Sequence, residues 1–126
     1  MKFHTRKLIK PGELNSNNSL FGGTLLKWID EEAGIYAMTK LESKNVVTKY
    51  ISEIDFVSSA KQGDIIEIGL QFKSIGRTSI TFSCMVRNVF TKKAIISIET
   101  LVFVKIDKME LPVAHGKTIE TLDFIS

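Results

Sequence analysis

Two stretches in the second half of the chain alternate apolar and polar residues with a period of two. Ile66, Ile68, Leu70 and Phe72 oppose Glu67, Gln71 and Lys73, and Ile80, Phe82, Cys84 and Val86 oppose Thr81, Ser83 and Arg87. That period puts each set on one face of a β-strand. β-branched runs extend the reading to four strands over residues 46–57, 64–75, 78–90 and 93–106. The connections Gln62-Gly63, Gly76-Arg77 and Thr91-Lys92 are short, which predicts antiparallel neighbours. Upstream, Gly22 to Leu41 reads as one helix, preceded by a polar loop and by a short strand over Arg6–Lys10 that the turn pair Pro11-Gly12 closes. A helix followed by a block of strands predicts an α+β fold, with one long helix packed on an antiparallel sheet. A single helix leaves the edges of such a sheet uncovered, so a dimer is expected.

Composition narrows the class. A chain of 126 residues with 44% hydrophobic and 25% charged residues reads as one globular domain over 1–126, whose tail from Met109 loses its periodicity. The net charge of +3 is spread out, without the basic stripe and exposed aromatics that nucleic-acid binding calls for. A small anionic ligand needs only a few cations. The lone Cys84 excludes an internal disulfide framework and a multi-cysteine metal site. The N-terminal stretch MKFHTRKLIKPGEL lacks an apolar core of signal-peptide length, and no run is long enough to span a membrane. A cytoplasmic protein with no membrane or nucleic-acid partner is the expectation.

The helix carries the first chemical signal. On a wheel of about 100° per residue, Gly22, Gly23, Leu26, Ile29, Asp30, Ala33 and Ala37 share about one third of the circumference. Lys27, Glu31 and Ile35 point the other way. Asp30 is therefore expected on the face turned to the sheet, with small residues around it. A buried carboxylate must be paired or protonated. Asp30 is either held in a structural hydrogen-bond network or is a general base or nucleophile in a cleft. Gly22-Gly23 leaves backbone N–H groups bare at the positive end of the helix dipole, an arrangement able to hold an oxyanion. A tight entry turn is the plain alternative for those glycines.

Taken together, N-x-x-x-x-x-F-G-G-x-x-x-x-x-x-D-E-x-A-G from Asn15 to Gly34 resembles the signature of the hot-dog-fold acyl-CoA thioesterases, or acyl-CoA hydrolases. VVTKYISEIDF (46–56), QGD (62–64) and GRTS (76–79) resemble later segments of that family, in the same order and at similar spacing. The likeness covers residues 4 to 106. It implies a long central helix wrapped by a curved antiparallel sheet of about five strands. It further implies a homodimer or a trimer of dimers, and hydrolysis of acyl-CoA to fatty acid and coenzyme A. No cofactor or metal is implied; coenzyme A enters as part of the substrate. By the resemblance, Asn15 and Asp30 are catalytic and Gly23 polarises the thioester carbonyl opposite Asp30 of the other chain. Thr48 positions water and Gly22 binds substrate; Arg77, Thr78 and Ser79 offer a cation, hydroxyls and amides to the phosphates of coenzyme A, with a plain hairpin turn and a solvated arginine as the alternative. The family commonly has glycine where Asn18 stands, and asparagine is the best substitute in a left-handed conformation. Ser19 replaces a residue that is often acidic or asparagine.

Rival readings keep the fold and change the chemistry: a non-catalytic acyl-CoA sensor or carrier, or a dehydratase or hydratase. HGKT (115–118) lacks the earlier glycine of a phosphate loop, position 111 being Leu. His4 and His115 have no second-ligand spacing for a metal. Phe21 and Trp28 are expected to be packing residues.

Overall fold

The computed structural model describes residues 1–122 of the chain. Among the described residues six strands and two α-helices follow one another, with a 3-10 turn at Pro11–Glu13: β1 Lys2–Leu8, α1 Gly22–Leu41, β2 Val46–Ile51, β3 Ile54–Phe56, β4 Ile65–Ile75, β5 Ser79–Asn88, β6 Ala94–Lys105 and α2 Ile119–Leu122. The strands form one antiparallel sheet in the order β1-β4-β5-β6-β2, with β3 also paired to β6. The helix occupies the residues its pattern predicts.

Two strands differ from expectation. The first begins at Lys2 rather than Arg6, and a register shift between Phe3 and Thr5 hides its alternation. The single run over 46–57 divides into β2 and β3. The division falls at Ser52, whose N–H donates to the Thr100 carbonyl at 2.9 Å while its Oγ accepts from Thr100 N–H at 3.0 Å. A side chain thus takes a place in the backbone ladder, and the sheet has six strands where about five were expected.

The core lies between α1 and one sheet face. Leu25, Ile29, Ala33, Ala37 and Leu41, each four residues apart, are buried. They meet Ile68, Leu70, Phe82, Val86, Ile98 and Phe103 of the central strands. Burying a side chain such as Leu or Phe contributes about 1.5–3 kcal/mol, so this stripe dominates the stability. The alternation read along β4 and β5 places the same residues inward.

On the opposite face Glu67 is buried, only 3% exposed, and answered by Arg87 Nε at 3.2 Å and Lys92 Nζ at 3.8 Å. The Arg87 guanidinium also lies 3.8 Å from the centre of the Phe3 ring.

The tail folds back on the body. Val113 N–H donates to the Lys105 carbonyl and His115 N–H to the Arg77 carbonyl. The buried His115 ring accepts the Lys117 N–H at Nδ1, so its Nε2–H donates to the Ser79 carbonyl at 3.1 Å. Leu122 joins the core, and its carbonyl receives Lys40 Nζ. The last four residues lie outside the described part of the chain.

Candidate active site

The loop before α1 is built by Asn15. Its Oδ1 accepts the N–H groups of Asn17 at 2.8 Å and Ser19 at 3.1 Å, and its carbonyl accepts that of Asn18. Asn18 takes φ of 60°, the left-handed conformation expected of an asparagine standing for glycine. With Oδ1 committed to the loop, the Nδ2 donors of Asn15 remain for a ligand.

The loop delivers the chain to a bare helix tip. Phe21 provides no side-chain cap, and the first intrahelical bond runs from Leu25 N–H to the Phe21 carbonyl. The N–H groups of Gly22, Gly23 and Thr24 precede it and end α1 at its positive pole. A Cβ on Gly23 would stand 2.8 Å from the Phe21 ring, and one on Gly22 would stand 3.4 Å from the Phe56 ring. A side chain at position 23 would therefore have to displace the Phe21 ring, while one at position 22 would make only ordinary contact with Phe56. Phe21 is 52% exposed, so within one chain it is not the packing residue that was expected. Trp28 is half-buried, with Lys7 Nζ 5.5 Å from its ring centre.

Asn15 and Gly22 line a cavity of about 390 Å³, with Leu20, Leu25, Phe56 and Ile95 among its walls. Ser58, Ser59 and Ala60 complete the far side. Ser19, noted in the sequence as a departure from the family, lines the cavity too; the other cavity residues beyond Asn15 and Gly22 did not stand out. Their only signal was the small, polar Ser-Ser-Ala that follows an apolar strand.

Asp30 does not face the sheet. It is exposed on the flank of α1, where its Oδ1 accepts a hydrogen bond of 2.6 Å from Thr48 Oγ1 of β2. The correction is one of phase: the buried stripe is centred on Leu25, Ile29 and Ala33 rather than on Leu26 and Ile29. One residue past Ile29 turns Asp30 about 100° away from the core. The structure therefore joins Asp30 and Thr48 directly, and both stand at the edge strand β2.

Arg77, Thr78 and Ser79 occupy the β4–β5 turn, where the Gly76 N–H donates to the Ser79 carbonyl. The tail engages the carbonyls of Arg77 and Ser79, while the Arg77 side chain is exposed. In the ladder Ser79 pairs with Val104, whereas Arg87 pairs with Ala94 beside the cavity. Ten residues of β6 separate the two ends, roughly 30 Å. The site residues expected from the sequence thus fall into two groups: Asn15, Gly22 and Gly23 with the cavity, and Asp30 and Thr48 toward the Arg77 end.

The glycine tip and Asp30 are two turns apart on α1, about 10 Å. That is too far for both to touch one carbonyl group. Strand β2 is an edge of the sheet. Val47, Tyr50 and Ile51 of that strand are exposed, as are Phe21, Phe56 and Val57.

A family model described as the thioesterase superfamily matches residues 17–94, which include the helix, the glycine tip, Asp30 and Thr48. The chain belongs to the thioesterase superfamily. Among its relatives is an uncharacterized acyl-CoA thioester hydrolase of Buchnera aphidicola subsp. Baizongia pistaciae, 30% identical over 80 residues that cover 64% of this chain and 58% of that one. The chain spans 48% to 65% of the length of the curated relatives it matches.

Two solved structures of the superfamily superpose closely. An apo hexameric acyl-CoA thioesterase shares 30% identity at a TM-score of 0.77, covering 96% of this chain and 81% of its own. The Staphylococcus aureus acyl-CoA hydrolase, solved with butyryl coenzyme A and coenzyme A, shares 28% identity at a TM-score of 0.77, covering 87% and 66%. Alanine variants of that hydrolase at an asparagine, an aspartate and a threonine are also known as structures. The arrangement of this superfamily member is the hot-dog fold, one long helix against a curved antiparallel sheet, as the resemblance implied.

Proposed function

We propose that this protein hydrolyses acyl-CoA thioesters to a carboxylic acid and coenzyme A, at sites completed by two copies of the chain. The Asp30–Thr48 hydrogen bond beside the open β2 edge carries the reading. It holds a carboxylate in one orientation where another chain can reach it. In the Staphylococcus aureus hydrolase the asparagine and aspartate chosen for alanine variants lie fifteen residues apart, the separation of Asn15 and Asp30 here.

Antiparallel pairing of β2 with its copy runs the two α1 helices in opposite directions and sets Asp30 of one chain toward the glycine tip of the other. The apolar side chains of Val47, Tyr50 and Ile51 are covered by the same step. Assembly beyond the dimer, as a trimer of dimers, belongs to the same proposal, and the hexameric state of the acyl-CoA thioesterase 30% identical to this chain supports six copies.

In such a site the amides of Gly22 and Gly23 and Nδ2 of Asn15 polarise the thioester carbonyl. Thr48 occupies Oδ1 of Asp30, leaving Oδ2 for water. The carboxylate takes a proton from water as the oxygen attacks the carbonyl carbon, the carbon–sulfur bond breaks, and the proton passes to the thiolate. Direct attack by Asp30, followed by hydrolysis of the anhydride, gives the same products. A thiolate leaves without prior protonation, so the scheme uses side chains and backbone amides and no cofactor. The Arg77–Ser79 turn meets the phosphates of coenzyme A in this scheme, and a cytoplasmic location belongs to the same proposal.

Thiol release from acyl-CoA tests it. Steady turnover by the wild-type protein and a loss of at least a thousandfold in Asp30→Asn, with the fold intact, support the enzyme. Stoichiometric binding without thiol release, or an active Asp30→Asn, contradicts it.

A further inference from the structure

The cavity beside the helix tip has a continuation. A second chamber of about 240 Å³ adjoins it, and Ser58, Ser59 and Ile95 line both. The first chamber has an apolar floor of Leu20, Leu25, Phe56, Ala60 and Ile95. The second is polar, lined further by Asn88, Thr91, Asp64 and Lys93. One acid and one base leave it close to neutral. Three phosphates would find a poor home there, whereas the exposed Arg77 lies at the other end of the ladder. The two arms of a thioester leave the carbonyl in opposite directions, so the anionic arm and the cavity belong to different half-sites.

We propose that the double chamber holds the acyl arm and sets the substrate class. That class is acyl groups of up to about eight carbons, with an uncharged hydrogen-bonding group favoured at the far end. This inference rests on the acyl-CoA hydrolase reading and adds the identity of the acyl group. Length follows from the ladder. Phe56 sits opposite Ile96, and the Asn88 N–H bonds the Lys93 carbonyl at the far wall. The three steps from Lys93 to Ile96 span about 10 Å. An extended hydrocarbon advances roughly 1.3 Å per carbon, from a C–C bond of about 1.5 Å. Eight carbons fill that length, and a palmitoyl chain is twice as long.

The polar end follows from hydrogen-bond accounting. Asn88 Oδ1 accepts the N–H groups of Phe90 and Thr91, and Thr91 Oγ1 accepts that of Lys93. Their side-chain donors, Nδ2 and the hydroxyl hydrogen, face no such commitment. Ser58 is turned the other way, its hydroxyl donating to the Ala94 carbonyl at 2.6 Å. Both side chains reach solvent, so water answers the two donors in the free protein; a terminal hydroxyl or amide replaces that water, whereas a bare methyl end displaces it without return.

The test is a kcat/KM series over acetyl-, butyryl-, octanoyl-, 8-hydroxyoctanoyl- and palmitoyl-CoA. The expected optimum lies at butyryl to octanoyl, with palmitoyl at least tenfold lower and the hydroxylated octanoyl above the plain one. Ser59 is exposed at the junction of the chambers, and Ser59→Phe narrows it. That variant should cut the octanoyl-to-acetyl ratio of kcat/KM at least tenfold. An optimum at palmitoyl, or an equal loss on every thioester in Ser59→Phe, overturns the assignment. If no thioester turns over, the hydrolase reading falls, and titration calorimetry then decides the chamber. Affinity that rises from coenzyme A to octanoyl-CoA upholds the acyl assignment, and affinity indifferent to the acyl arm overturns it.

Discussion

Thr48 on the edge strand donates its hydroxyl to Asp30 on the central helix across 2.6 Å, and this contact fixes the carboxylate on the flank of α1. A hydrogen bond to a charged group contributes about 1.5–3 kcal/mol. Thr48→Val keeps the shape and β-propensity of the residue and removes the donor. Turnover in acyl-CoA hydrolysis should fall roughly 10- to 100-fold, with KM little changed, while circular dichroism and elution volume stay as in the wild type. Loss through KM alone would show that Thr48 contacts substrate rather than orienting Asp30.

The open edge of β2 invites a second chain, and charge is the usual means of closing such an edge. Tyr50 is 55% exposed and Ile51 37%, so the double variant Tyr50→Lys with Ile51→Lys should fold. Sedimentation velocity should show it dissociated toward single chains, and activity should vanish with assembly. A monomer that retained turnover would place the whole site in one chain.

Cys84 is buried under α1, and burial pushes its thiol from the ordinary 9.0 up to about 12. Burial also raises Tyr36. Unfolded, the thiol ionises above pH 9; folded, it stays protonated until about 12. The unfolded state therefore binds fewer protons in that window, and stability falls as pH rises through it. Urea midpoints should decline between pH 9 and pH 12 and decline less in Cys84→Ala. Ellman's reagent at neutral pH should find no thiol until the protein is denatured, which leaves the activity assay free of background.

Glu67 is answered by Arg87 at 3.2 Å and Lys92 at 3.8 Å on the face away from the helix. Arg87→Ala strands a buried carboxylate and removes the cation from the Phe3 ring. A loss of about 3 kcal/mol is expected from chemical denaturation, and Glu67→Gln in the same background should restore part of it. No loss in Arg87→Ala would mean that Lys92 alone satisfies the charge.

The sequence disclosed the helix ends and the inward residues of β4 and β5, because each rests on local chemistry or a simple period, and the left-handed Asn18 followed from the glycine that the family has there. It misplaced Asp30 because Gly22, Gly23 and Leu26 drew the expected face off the true stripe of Leu25, Ile29 and Ala33. The division at Ser52 depends on Thr100, and the burial of Glu67 depends on Arg87 and Lys92; no local pattern reports partners so distant. The cavity is likewise tertiary, assembled from a loop, a helix tip, β3 and β6. Asp30 stood out already on the helix wheel, whereas Asn15 and Thr48 were legible only through family resemblance, since nothing in the spacing alone sets Thr48 against Asp30.

Whether two chains build each site can be decided by mixing two crippled proteins. Asn15→Ala and Asp30→Asn are each purified, combined in equal amounts, dissociated and allowed to reassociate. Half of the randomly formed dimers then contain one of each, and every mixed dimer owns one site with both residues intact. Thiol release should recover to about one quarter of the wild-type rate, from two proteins that are each nearly inactive. A mixture no more active than its components would show that Asn15 and Asp30 serve the same chain, and the two-chain site would be wrong.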